Sequence, residues 1–125
     1  MEVLRRRSEG FLRDAEVDYC RGDYDLVLFH VEQSLQLYLK YLIYLKIGDH
    51  PKTHSLTRLV KDAAELYEDD ALEAFYNDNI ELLYLLEEAY ITSRYLPRTY
   101  EEEIAKRILQ FSKAAKEVFQ CLETV

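Results

Sequence analysis

A turn rich in tyrosine and arginine interrupts an otherwise regular helical pattern around a proline. The turn reads Thr-Ser-Arg-Tyr-Leu-Pro-Arg-Thr-Tyr and spans residues 92–100. Arginine binds phosphate through a planar fork of N–H donors, and aromatic rings stack on nucleobases. The turn also precedes a predicted helix N-terminus, where free N–H groups favour a bound anion. These features predict a nucleotide-phosphate site that contains Arg94, Tyr95 and Arg98.

A structural explanation of the same turn stays open at this point. Arg94 and Arg98 would neutralise the last carbonyl groups of one helix and pair with the glutamates at 101–103. His54 has two explanations as well. Its imidazole lies beside the anion site, or the residue only helps to cap the third helix or fills the end of the bundle. The spacing of histidines and cysteines matches no zinc motif, so we predict no metal site.

Five helical segments must position these residues. Glycines follow two of the periodic segments and prolines lie in the breaks, as is typical of long helices joined by short turns. No segment alternates apolar and polar residues as a strand would. We predict a single all-α domain over residues 1–125, an up-and-down bundle of four main helices plus one shorter helix. The segments run from about Glu2 to Cys20, Asp23 to Ile47, Thr53 or Ser55 to Tyr67, Asp70 to Tyr95, and Thr99 to Leu122.

The second helix is apolar on all sides between residues 35 and 47, and it carries a ladder of three tyrosines. Such a helix is buried on more than one side. Either it is the central helix of the bundle, or its second face packs on another subunit. The polar residues on this helix are either core residues whose charged ends reach water or partner contacts. The predicted dimer or partner face comprises Gln33, Tyr38, Lys40, Tyr41 and Tyr44.

If consecutive helices alternate in direction, the basic residues gather at one end of the bundle. That end would include Lys52, His54 and Arg58 beside the turn, and would carry the anion site. The other basic members are Arg5, Arg6, Arg7, Lys46, His50, Arg94 and Arg98. The opposite end would be acidic, with Glu68, Asp69, Asp70, Glu73 and Asp78.

The overall charge limits the function further. A formal net charge of −8 repels a phosphate backbone, which disfavours general coating of DNA or RNA. Two cysteines are too few for a disulfide scaffold. The N-terminus lacks the apolar region of a signal peptide, and the most apolar run is shorter than the roughly 20 residues of a membrane span. We therefore expect a soluble cytoplasmic protein.

Three motifs in order resemble the HEPN domain (higher eukaryotes and prokaryotes nucleotide-binding domain), over nearly the whole chain. The first is the second helix, with Gln33 and Lys40 at the matching positions. The second is the His-Ser-Leu step that begins at His54. The third is Tyr-x-x-x-Arg-Tyr-x-Pro, which begins at Tyr90 and includes Arg94.

The resemblance implies an α bundle that commonly forms homodimers and often pairs with a minimal nucleotidyltransferase, in a toxin–antitoxin arrangement. Many members are metal-independent endoribonucleases with an arginine followed after four to six residues by histidine. Here no histidine follows His54, so the catalytic imidazole of that motif is missing. We therefore predict no catalytic residue and a nucleotide-binding or substrate-binding subunit, with a nucleotide such as ATP as the only ligand.

Two alternatives stay open. One is an endoribonuclease with an altered site, in which His54 or His50 supplies the imidazole across a dimer. The other is a helical dimeric adaptor that binds through the tyrosine ladder. In some relatives a partner nucleotidyltransferase attaches AMP to a tyrosine near the arginine motif. Tyr95 and Tyr100 lie in the corresponding region, and whether either is modified stays open.

Overall fold

The computed structural model describes residues 2–95 and 99–123, and of residues 93–95 it describes the backbone alone. These residues form helices with no strand among them, which confirms the all-α prediction. None of the helices in this part of the chain is long and apolar enough to cross a membrane. The helices are α1 (Glu2–Arg21), α2 (Tyr24–Ile47), α3 (Leu56–Tyr67), α4 (Asp70–Asp78), α5 (Ile80–Tyr95) and α6 (Glu102–Glu123).

Local signals explain where α2 ends and α3 begins. Gly48 adopts a left-handed conformation with φ of 75°, and its N–H donates to the Tyr44 carbonyl, which closes the last turn of α2. Ser55 is the residue that caps α3, because its hydroxyl accepts a hydrogen bond from the Arg58 N–H. Asp23 precedes α2 as predicted, but its side chain makes no capping bond.

Two predicted boundaries differ from the observed ones. The segment predicted to run unbroken from Asp70 to Tyr95 is two helices, α4 and α5, because the chain leaves the helical conformation at Asn79. The Phe75 carbonyl accepts from both the side-chain amide of Asn79, at 2.9 Å, and the Asn79 N–H, so Asn79 satisfies the end of α4. The last helix starts at Glu102, three residues later than Thr99.

The second helix, α2, is the central helix of the bundle. It packs against α1, α3, α5 and α6, so its apolar residues are buried on several sides within one chain. Leu28, Leu39 and Leu42 have no exposed surface. The central-helix alternative therefore accounts for the apolar character of α2 without a second subunit.

Side-chain contacts give the directions of the helices. α1 is antiparallel to α2, since Ser8 bonds to Ser34 and Asp18 bonds to His30. α3 runs in the same direction as α2, because His54, just before α3, contacts Gln36 whereas Tyr67, at its end, donates to the carbonyl of Leu42. The non-helical residues 48–55 lead the chain back along α2, so strict alternation is wrong at this step.

This direction divides the predicted basic end. Lys46 lies 4.8 Å from the centre of the Tyr67 ring and thus beside Glu68, which was expected at the opposite end. Arg5 bonds to Glu9 and Glu123 and lies over Tyr38. The basic and acidic clusters are therefore not segregated as the alternating arrangement predicted.

Candidate functional site

Three rings meet where the end of α5 crosses α2. The rings of Tyr90 and His54 stack with centres 5.4 Å apart and planes 23° apart. Tyr90 also stacks with Phe29 of α2, at 6.3 Å and 9°. Arg94 follows Tyr90 by one turn of α5, so the backbone of Arg94 lies one helical turn beyond the aromatic cluster.

A chain of hydrogen bonds leads from His54 into the protein. The Nδ1 atom of His54 lies 3.0 Å from the Oε1 atom of Gln36. The side-chain nitrogen of Gln36 donates to Oε2 of Glu32 at 2.9 Å, and that of Gln33 donates to Oε1 at 2.7 Å. A carboxyl, an amide and an imidazole are thus connected from the interior to the surface, since Glu32 is fully buried and His54 is exposed.

The buried carboxyl has an unusual proton affinity. Burial raises the pKa of Glu32 to about 7, against an ordinary value of 4.5, because a charge without water around it is unfavourable. The two glutamine amides oppose this shift only in part. Lys40 lies one turn further along α2 than Gln36 and is also buried. Burial lowers the pKa of Lys40, and the Glu32 carboxylate opposes this shift only in part. Glu32 therefore changes charge near neutral pH.

The position of His54 is set by the cap of α3. Oε1 of Glu87, on α5, accepts hydrogen bonds from the Ser55 hydroxyl at 2.8 Å and from the Thr57 N–H at 2.8 Å. The Thr57 hydroxyl donates to the same atom at 3.0 Å. A carboxylate at a helix N-terminus is stabilised by the free N–H groups there. This attachment holds the residues before α3 against α5 and brings His54 onto Tyr90.

The structure brings together some of the predicted site residues. His54 and Lys40 lie in or next to the polar chain, and Gln33 is half-buried and bonded to Glu32. Lys52 and Arg58 are exposed, and the guanidinium of Arg58 lies 3.6 Å from Asp62 of the next turn. The remaining predicted members, Arg94, Tyr95 and Arg98, lie outside the described side chains.

The predicted dimer face is divided between the interior and the surface. Tyr38 and Tyr41 are buried within the chain, so they form no exposed face. The Tyr38 hydroxyl donates to Glu123 of α6 at 2.5 Å, and its ring packs on Phe119. Tyr44 is half-buried. The tyrosine spacing left both alternatives open, because a helix that is apolar on all sides does not show which side a neighbour covers.

Sequence reasoning missed the buried end of the polar chain. Glu32 and Gln36 lie four residues apart, a spacing that puts side chains on one face of a helix. Their place on an otherwise apolar helix was the available signal. Among the described residues, no group of three or more histidine, cysteine, aspartate or glutamate side chains is arranged to hold a metal ion.

The described residues form an all-helical domain with a chain of polar side chains on α2. The family model for the HEPN domain matches residues 1–124, essentially the whole chain, so the chain belongs to this family. The family contains nucleotide-binding and ribonuclease-type domains. No match was found among curated proteins or among solved structures.

Proposed function

We propose that this chain binds a nucleotide and serves as the non-catalytic, substrate-binding HEPN subunit of a separate minimal nucleotidyltransferase in the cytoplasm, in a pair of toxin–antitoxin type. The observation that carries the proposal is the cluster of Phe29, Tyr90 and His54 at the end of α5. It offers an aromatic surface for a base, one turn before Arg94, which supplies charge for a phosphate.

The missing histidine supports a binding role. Cleavage of RNA through the 2′-hydroxyl needs groups that take and give protons. The sequence has three histidines, and none follows His54. The arginine of the tyrosine- and arginine-rich turn is thus left to bind an anion, without the histidine that ribonuclease relatives place after it.

Calorimetric titration with ATP, the other nucleoside triphosphates and AMP tests this function. Saturable binding is expected for the wild type. Arg94→Ala should weaken it by roughly ten- to a hundredfold, the range for a hydrogen bond to a charged group. Arg107→Ala, which removes the same charge from an exposed position of α6, is the matched control and should bind as wild type. The absence of binding, or equal affinity in Arg94→Ala, would refute the proposal.

The partnership and the homodimer have their own tests. Co-expression with a minimal nucleotidyltransferase from the same genome should give one complex of fixed ratio, and separate elution contradicts the pairing.

Sedimentation at several concentrations should give a dimer of this chain alone. A strictly monomeric protein would contradict the dimer and would also weaken the adaptor alternative.

One observation favours a second candidate, an endoribonuclease with an altered site. The chain of Glu32, Gln36 and His54 presents an imidazole at the surface, as acid–base catalysis requires. Incubation of the purified protein with total RNA tests this candidate. Cleavage that is lost in both Arg94→Ala and His54→Ala would favour it, whereas equal cleavage by the wild type and both variants indicates a contaminating nuclease.

A further inference from the structure

The two nitrogens of the His54 ring have different surroundings. Nδ1 is 3.0 Å from Gln36. Among the side chains that the structure describes, those of residues 2–92 and 99–123, none bonds to Nε2, and the His54 side chain is exposed. One face of the ring is covered by Tyr90. A molecule that approaches from solvent therefore meets the other face and the Nε2 edge.

The hydrogen-bond chain decides which nitrogen carries the proton. Where Glu32 is ionised, its carboxylate only accepts hydrogen bonds, so Gln36 turns its NH₂ group to Glu32. Its carbonyl oxygen then faces His54 and accepts, which requires a proton on Nδ1. In the neutral imidazole the proton on one nitrogen leaves a lone pair on the other. Nε2 is thus an acceptor that faces solvent.

The chemistry of this acceptor selects one part of a nucleotide. A neutral nitrogen with a lone pair accepts from O–H or N–H groups and does not attract a phosphate as a cation would. A base stacked on the open face of His54 has its amino groups in a plane parallel to the ring, so they cannot point at the in-plane lone pair of Nε2. The ribose leaves the plane of the base, and its hydroxyls can reach the edge of the ring.

We infer that Nε2 of His54 accepts a hydrogen bond from the ribose 2′-hydroxyl, and that Glu32 and Gln36 set the tautomer that makes this contact. This inference rests on the proposed nucleotide binding and adds its selectivity. The site takes ribonucleotides in preference to deoxyribonucleotides, with the base on His54 and the phosphates toward the end of α5.

Titration of one protein with ATP and with 2′-deoxyATP at about pH 8, where most of Glu32 is ionised, tests the contact. Wild type should bind ATP roughly five- to tenfold more tightly, the value of one neutral hydrogen bond. His54→Asn is the matched variant. The NH₂ group of asparagine replaces the Nδ1–H donor, and the side chain has no atom in the position of Nε2. The variant should bind both nucleotides equally. Equal binding by the wild type, or a preference that survives in His54→Asn, overturns the inference.

Two further measurements keep the test decisive if His54→Asn loses all binding. Gln36→Leu keeps the imidazole and removes the amide that fixes its tautomer, so the preference for ATP should fall at least twofold. Nitrogen NMR of the unliganded protein should show a proton on Nδ1 of His54 above pH 8, and a proton on Nε2 would refute the tautomer.

If the wild type binds neither nucleotide, the proposed function itself fails. If it binds ATP and 2′-deoxyATP equally, only the ribose contact fails.

Discussion

Replacement of Glu32 by glutamine tests the buried end of the polar chain. The carboxyl is fully buried and takes up a proton with a pKa of about 7, against 4.5 in a solvated chain. The folded protein therefore holds this proton more tightly than the unfolded chain does. Stability from this group is complete below pH 4.5 and is lost as the pH rises toward 7. Glutamine has similar size and no charge, so this loss should disappear.

The magnitude follows from the two pKa values. Integrated between about pH 5 and about pH 8, the difference in proton binding lowers the free energy of unfolding of the wild type by about 2.5 kcal/mol. Relative to the wild type, Glu32→Gln should therefore become more stable by that amount across the same interval. The quantity to compare is the change of the free energy of unfolding with pH. The substitution also alters the hydrogen bonds with Gln33 and Gln36, but that contribution to the free energy is the same at every pH.

Urea denaturation at several pH values measures this difference. Glu16→Gln is the control, since Glu16 lies exposed on α1 and its replacement removes the same formal charge. The control should keep the pH profile of the wild type. If the wild type and Glu32→Gln have parallel profiles between about pH 5 and about pH 8, the carboxyl does not titrate near neutrality and the reasoning is refuted.

Four other substitutions test the helices and the packing that support the site. Tyr38→Phe removes the donor to Glu123 and should lower the free energy of unfolding by about 1–2 kcal/mol, measured in urea; an unchanged value contradicts the bond. Leu39→Ala leaves a cavity at a position with no exposed surface and should cost about 2–5 kcal/mol, so a loss below 1 kcal/mol would argue against a central α2. Gly48→Ala forces a side chain into a left-handed conformation and should lower the melting temperature. Gly10→Ala, inside α1 with ordinary space for the new methyl group, should raise it, and the same sign for both glycines would contradict this account.

The helices could be predicted from the sequence because their ends carry local signals. Gly48 acts through its own backbone, so residue type was sufficient to find it, whereas residue type left the cap of α3 open between Thr53 and Ser55. The break at Asn79 was missed, because the apolar pattern continues through it. The direction of α3 has no such signal, because residues 48–55 would suit either arrangement.

The candidate site was predicted only in part, because residue type identifies some of its members and long-range packing determines the others. His54 was identified from its type and position, and its ring stacks on Tyr90 of α5. Glu32 and Gln36 were missed, because their role depends on which helix covers them. The charges of Arg5 and Lys46 suggested one basic end, but long-range packing separates them from His54.

The most direct test of the central claim is an NMR titration of the three histidine side chains with ATP. The aromatic cluster places the nucleotide on His54, so its ring resonances should shift in a saturable manner. His50 bonds to the backbone of Pro51 in the segment that follows α2, and its resonances should stay in place. A shift of His50 without His54, or no shift of any histidine at saturating ATP, would contradict a nucleotide site at the end of α5.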